Sequence, residues 1–107
     1  PDMRPREKLL SKGAEVLTDA ELLALLIGAG TVKETAVGLS ERILRSLDND
    51  LENLVKVDYK ALGKFRGMGM AKCSAIMGAM ELVRRIVAVQ LGSANGFLSS
   101  FKKVSRD

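Results

Sequence analysis

The sequence predicts an all-α domain of five to six helices, arranged as two similar helical hairpins joined by a short connector helix. Three observations carry that expectation. Apolar residues make up 47% of the 107-residue chain, while aromatics contribute only 4% and tryptophan is absent. Such a core of Leu, Val, Ile, Met and Ala suits packed helices better than a β-sandwich. Both prolines, Pro1 and Pro5, stand at the N-terminus, so nothing after them interrupts a helix. Between the glycine-rich turns, apolar residues recur at steps of three and four. A chain of this length has room for one modest core.

Arg4 to Lys12 reads as a short helix with Leu9 and Leu10 on its apolar side and Gly13 as its stop. Thr18 and Glu21 then have the spacing of a capping box, flanked by Leu17 and Leu22 as a hydrophobic staple. The helix they open runs through Ile27, is apolar nearly all round, and is expected to be central. It stops at Gly28-Ala29-Gly30. A third helix is predicted from about Thr35 to Leu47, with Ala36, Leu39, Ile43 and Leu47 along one face. Asp48-Asn49-Asp50 breaks it, and Leu51 to Lys56 forms the connector. Asp58 caps a helix through about Phe65, which ends at Gly67-Met68-Gly69. The last long helix runs from Met70 to about Val87, with Cys73, Ile76, Met80, Val83 and Val87 as its apolar stripe. Met77 and Met80 are assigned to the core, and Cys73 is read as a small buried hydrophobe.

The two hairpins repeat. At an offset of 39 residues Asp19 falls on Asp58, Leu23 on Leu62, Leu26 on Phe65, Gly28 and Gly30 on Gly67 and Gly69, and Lys33 on Lys72. Ala36, Val37, Ile43 and Leu47 then fall on Ala75, Ile76, Leu82 and Ile86. Each half is therefore helix, Gly-x-Gly turn, helix.

What is missing narrows the function. The chain has no histidine and one cysteine, so the usual zinc sites and the Ser–His–Asp and Cys–His arrangements cannot be assembled. The acids sit mainly at predicted helix starts, where they cap or complement the dipole. No enzyme activity, metal or cofactor is expected of this chain alone. The lone cysteine excludes an internal disulfide and agrees with a reducing, cytoplasmic setting. The longest apolar run, Leu22 to Ile27, is too short to span a bilayer, so no membrane association is expected. Opening on Pro1, the chain is expected to be part of something longer.

Charge is concentrated. The formal net charge is +4, and the stretch from Tyr59 to Met80 carries Lys60, Lys64, Arg66 and Lys72 with no acid. These cations bracket the second glycine turn. A residue without Cβ can take positive φ and bring its backbone close to a ligand. Immediately after Gly69 a helix is predicted to begin, and its first amides have no intrahelical partners. With the positive end of the helix dipole they can receive a phosphate oxygen. The expected backbone-contacting residues are Lys64, Arg66, Gly67, Met68, Gly69 and Lys72, with Gly28, Gly30 and Lys33 as a possible second hairpin. No base-reading element is evident, so such contacts position without specifying sequence.

Phe65-Arg66-Gly67-Met68-Gly69-Met70-Ala71-Lys72-Cys73 resembles the helix-hairpin-helix motif, apolar-x-Gly-apolar-Gly-x-x-x-small. The wider chain resembles the N-terminal domain of RadC-family proteins, long labelled DNA repair proteins. The resemblance rests on Arg4-Pro5-Arg6-Glu7-Lys8-Leu9-Leu10, Lys12-Gly13-Ala14-Glu15, Thr18-Asp19-Ala20-Glu21-Leu22-Leu23-Ala24, and the hairpin with Glu81-Leu82-Val83-Arg84-Arg85, covering roughly residues 1 to 88. It implies a tandem helix-hairpin-helix, DNA-binding-like domain followed by a C-terminal JAB/MPN domain with a metalloprotease-type motif. That motif needs histidines, so its activity does not extend to this chain. Two departures stand out: Met70 occupies a position where Pro is frequent, and Cys73 one where Ala is expected. The first hairpin carries Leu25 and Ile27 where a DNA-contacting unit would favour basic residues.

The domain is thus expected over residues 1–88, with 89–107 as a linker or the start of a further domain. Gly92, Ser93, Asn95 and Gly96 support the linker reading, and Phe97, Phe101 and Val104 the further domain. The expected function is sequence-independent binding of duplex or branched DNA through its backbone. The alternative is a protein-docking or interdomain module, suggested by Ile27, Ala29 and Val32 in the first hairpin and by the apolar tail.

Overall fold

A computed structural model describes residues 4–92, all of whose regular elements are helical. They are α1 (Pro5–Lys12), a 3₁₀ turn (Ala14–Val16), α2 (Asp19–Ile27), α3 (Ala36–Ser46), α4 (Leu51–Val55), α5 (Tyr59–Gly63) and α6 (Met70–Gly92). Phe97, Phe101 and Val104 lie outside the described residues.

Helix ends follow local chemistry. Pro5 takes the first position of α1, where its missing N–H costs nothing. Thr18 and Glu21 close a reciprocal box at the start of α2: the Thr18 hydroxyl accepts from the Glu21 amide at 3.1 Å, and the Glu21 carboxylate accepts from the Thr18 amide at 2.9 Å. That amide, seconded by the Lys8 ammonium at 3.1 Å, holds the Glu21 carboxyl below the usual range. α3 ends where Asp48 and Asn49 enter the left-handed region at φ 60° and 55°, conformations these short polar residues tolerate. The Asn49 amide reaches back to the Leu44 carbonyl at 2.8 Å, satisfying a terminal carbonyl. Asp50 and Asp58 cap α4 and α5 through the amides of Glu52 and Ala61.

The apolar faces then dictate packing. α2 sits between α3 and α6 and also carries α1, while α4 and α5 lie on α6. Ala20, Leu23, Ala24 and Ile27 are the buried face of α2; Leu22 and Leu26 are partly open on its other side. Leu39, Ile43, Leu62, Cys73 and Ile76 are the best-sealed members of the core. Each such Leu or Ile contributes about 1.5–3 kcal/mol through burial. Met80 is buried and Met77 packs against the cluster. Burial also pushes the Cys73 thiol up, keeping it neutral and unreactive.

Two boundaries differ from the sequence-based expectation. α5 stops at Gly63 rather than near Phe65, because Lys64 to Met68 turns tightly instead, with Phe65 N–H donating to the Leu62 carbonyl at 3.3 Å. α6 continues past Val87 to Gly92, so residues 89–92, read as the start of a linker, are helical. Nothing in Ala88-Val89-Gln90-Leu91 breaks a helix. Arg84 and Arg85 consequently stand mid-helix rather than at its end. Both pair with Glu81 at 3.0 Å, and Arg84 also donates to the Val55 carbonyl, tying α6 to the end of α4.

Candidate nucleic-acid interface

The two glycine turns share one feature and differ in the rest. Gly28 and Gly67 occupy equivalent places and both have positive φ, 82° and 91°. The helices before them bury equivalent leucines, Leu23 and Leu62. Farther along, the correspondence fades: Ile43 is fully buried whereas Leu82 is exposed.

In the first turn, residues 28–35, the backbone is closed upon itself. The Thr31 amide donates to the Glu34 carbonyl at 2.7 Å, and the Thr31 hydroxyl accepts from the amides of Lys33 and Glu34 at 3.2 and 3.1 Å. Thr35 caps α3 by accepting from the Gly38 amide at 3.0 Å. Gly30 is not held open for a ligand. A Cβ there would lie 2.3 Å from the Glu34 carbonyl oxygen and 2.7 Å from the Ala36 nitrogen, so its role is close chain packing. Lys33 is exposed beside this closed loop.

The second turn is open on one side. Gly67 faces inward, where a Cβ would meet the Thr31 methyl at 2.8 Å, so the second turn rests directly on the first. Met68 is buried beneath it and spends its amide on the Phe65 carbonyl at 3.1 Å. That removes Met68 from the amides available to a ligand: its side chain anchors the turn. Gly69 is different. A Cβ there would meet nothing within 4 Å, and its carbonyl accepts the first α6 bond, from Cys73 at 3.1 Å. The amides of Gly69, Met70, Ala71 and Lys72 have no hydrogen-bond acceptor among the described residues. Gly69, Met70 and Ala71 are exposed, so these donors open to solvent at the positive end of a 23-residue helix.

The cations gather around that opening. Lys64 and Arg66 are exposed just before it, and Lys72 lies half-buried in the first turn of α6. None of the three is ion-paired among the described residues. The Lys72 ammonium donates to the Gly67 carbonyl at 3.2 Å, bracing the turn while keeping its charge at the site. Lys64 stands 5.9 Å from the centre of the Phe65 ring. The arrangement can hold an oxyanion on backbone donors and surround it with positive charge.

Sequence reasoning did not find the residue that links the two turns. Arg42, on α3, makes a two-pronged bond to Glu34, Nε to Oε2 at 2.9 Å and Nη2 to Oε1 at 2.7 Å. The same Nη2 points at the Arg66 carbonyl at 3.5 Å, and the guanidinium stands 5.7 Å from the Phe65 ring centre. Arg42 holds the Glu34 carboxyl below the usual range, and Glu34 raises Arg42 in turn. Glu34 lies in the loop before α3 and Arg42 eight positions on, within the helix, a pairing that the helix's own periodicity does not flag.

Elsewhere, a groove of about 770 Å³ runs between the start of α1 and the first turn, lined by Arg4, Arg6, Leu25, Ala29 and Val37 among others. Among the described residues no His, Cys, Asp and Glu cluster could hold a metal, and no helix is long and apolar enough to cross a membrane.

The sequence is similar to those of a wide group of known proteins. Residues 1–74 match the profile described as UPF0758 N-terminal. The chain is 53% identical over 89 residues to a UPF0758 protein of Porphyromonas gingivalis, covering 82% of this chain and 39% of that protein. It is 54% identical over 84 residues to one from Flavobacterium johnsoniae, covering 78% and 36%, and 44% identical over 84 residues to one from Carboxydothermus hydrogenoformans, covering 78% and 37%. The chain thus spans less than two-fifths of the length of these curated relatives. No solved structure matches it.

Proposed function

We propose, from the premise that this chain belongs to the UPF0758 family through its N-terminal, RadC-type region, that it is a helix-hairpin-helix module holding DNA by its phosphate backbone. One observation carries the reading: among the described residues, four amides without an acceptor at the head of α6 coincide with three cations that form no salt bridge. Gly69, Met70, Ala71 and Lys72 supply the donors, and Lys64, Arg66 and Lys72 the charge. Since these contacts touch phosphate rather than base edges, the module positions a larger protein on DNA without reading sequence. Its first turn, in which the amides of Thr31, Lys33 and Glu34 are occupied, serves mainly to support the second. The buried, neutral Cys73 fits a cytoplasmic setting.

Fluorescence anisotropy of the full chain with duplex and branched DNA tests this. With about three phosphates neutralised, Kd is expected on the order of 10⁻⁴ to 10⁻⁶ M, weakening about fortyfold between 50 and 200 mM salt. Lys64→Glu with Arg66→Glu reverses two exposed charges that form no salt bridge among the described residues, and should weaken binding at least about tenfold. Absence of binding at low salt, or indifference to the double reversal, overturns the reading.

A second reading is favoured by a different observation. Leu82, Ile86 and Val89 stand at helical spacing on α6 and are all more than half exposed, with Leu91 beyond them at 75%. Of the first-hairpin residues suggested for docking, Ile27 is sealed in the core, while Ala29 and Val32 are exposed. The occupant proposed for the α6 face is the remaining three-fifths of the full-length protein. Hydrogen exchange should then show the amides of residues 82–91 better protected in the full-length protein than in this chain; equal protection counts against docking there.

A further inference from the structure

We propose that Arg42 is the positioning residue of the DNA-facing turn, a clasp that sets the second glycine turn on the first and thereby aims the amides of Gly69 to Lys72. The inference rests on the phosphate-binding reading above and names the device that orients that site.

Arg42 touches both turns at once. Its guanidinium grips the Glu34 carboxylate of the first turn through two short bonds, 2.9 and 2.7 Å. The remaining surface of the same plane meets the second turn, at the Arg66 carbonyl and the Phe65 ring. A planar fork can serve a carboxylate edge-on and an aromatic ring at once, which an ammonium cannot. The contact is backed by sterics: the Gly67 backbone lies against the Thr31 methyl and the Leu39 side chain, so the turns abut even apart from the clasp. Arg42 adds a two-pronged bond to the first turn and, on the second, a carbonyl at 3.5 Å and a ring. The hydrogen-bonded Arg42 guanidinium holds the Glu34 carboxyl below its usual range, favouring the charged form that the clasp uses.

This assignment predicts an effect of unusual sign. Removing a negative charge beside a DNA-binding surface ordinarily tightens binding, because the local potential becomes more positive. If Arg42 were instead a phosphate ligand held back by Glu34, Glu34→Gln would release it and raise affinity. If Arg42 positions the turn, Glu34→Gln loosens the clasp and weakens binding in spite of the favourable charge change.

The full chain and the variants Glu34→Gln, Arg42→Lys and Glu41→Gln are titrated with duplex DNA at fixed low salt. In parallel, amide chemical shifts of Gly67, Gly69 and Lys72 are recorded without DNA. Glu41 is an exposed acid of the same helix, with no ion pair among the described residues, and provides the charge control. Expected results are a loss of about five- to tenfold for Glu34→Gln and for Arg42→Lys, the size typical of residues acting through others. Glu41→Gln should leave binding unchanged or tighter. Shifted Gly67 and Gly69 amides in Glu34→Gln, with those of Glu41→Gln unmoved, are the matching signature. Tighter binding by Glu34→Gln, or full affinity in Arg42→Lys, overturns the positioning role. If no protein binds DNA, the phosphate-binding reading fails, while the amide shifts still decide the clasp: unmoved amides in Glu34→Gln overturn it.

Discussion

Gly30→Ala is expected to be the most destabilising single-methyl change in the chain. The added Cβ would stand 2.3 Å from the Glu34 carbonyl oxygen, 2.7 Å from the Ala36 nitrogen and 2.7 Å from the Thr35 carbonyl carbon. All three are backbone atoms, so no side chain can swing aside. Relief requires opening the turn, which would break the Thr31–Glu34 bonds and displace the start of α3. Overpacking of this kind costs about 3 kcal/mol or more. For a domain of this size that lowers the melting temperature by roughly 15 °C. Thermal unfolding followed by circular dichroism measures it. A Gly30→Ala chain that melts within a few degrees of the parent would show that the first turn is not built as described.

The same site shows how far the sequence could be read. Helix order, caps and the central place of α2 were legible because each is written locally: Thr18 and Glu21 three apart, Asp58 before Tyr59, Leu23 and Ile27 one turn apart. The glycine pairs were equally visible, but identical letters concealed two roles. Gly30 is pressed against backbone four to six residues on, and Gly69 borders open space. Periodicity cannot tell these apart, since the difference lies in where α3 and α6 begin relative to the turn. α6 starts immediately after Gly69, leaving bare amides, whereas α3 starts only at Ala36, after the chain has folded upon itself. The Arg42–Glu34 clasp was hidden for a related reason, because Glu34 lies in the loop before α3 while Arg42 is on the helix itself. The extension of α6 to Gly92 shows the opposite weakness. Gly92 and the small residues after it look like a linker, yet nothing upstream of Gly92 stops a helix.

These differences give the hairpins a division of labour. The first turn, with the amides of Thr31, Lys33 and Glu34 already taken, makes a seat for the second. The second turn, clasped to it through Arg42 and resting on Thr31, can leave its own amides unsatisfied because they open to water rather than to apolar surroundings. An unsatisfied donor in solvent costs little, and it is pre-aimed for an incoming oxygen.

The glycines of the second turn should therefore respond differently to alanine: one exchange lowers stability and binding together, the other lowers binding alone. Gly67 has φ of 91°, which an L-residue adopts at a cost of about 1–2 kcal/mol. Its new methyl would also crowd the Thr31 methyl at 2.8 Å, and Thr31 cannot rotate freely while its hydroxyl accepts from Lys33 and Glu34. Gly67→Ala should thus lose about 2 kcal/mol of stability, with binding lost as the turn shifts. Gly69 lies outside the positive-φ region and its methyl would touch no neighbour. Gly69→Ala should leave stability unchanged or raise it by about 0.5 kcal/mol, through a less disordered unfolded chain. Yet that methyl would project beside the amides of Met70 and Ala71, where a phosphate oxygen needs to sit, and should weaken DNA binding by roughly tenfold, as loss of a charge-assisted hydrogen bond does. Denaturation and anisotropy on the same preparations give both values. Undiminished affinity in Gly69→Ala would mean that no ligand approaches the head of α6, whatever the surrounding lysines attract.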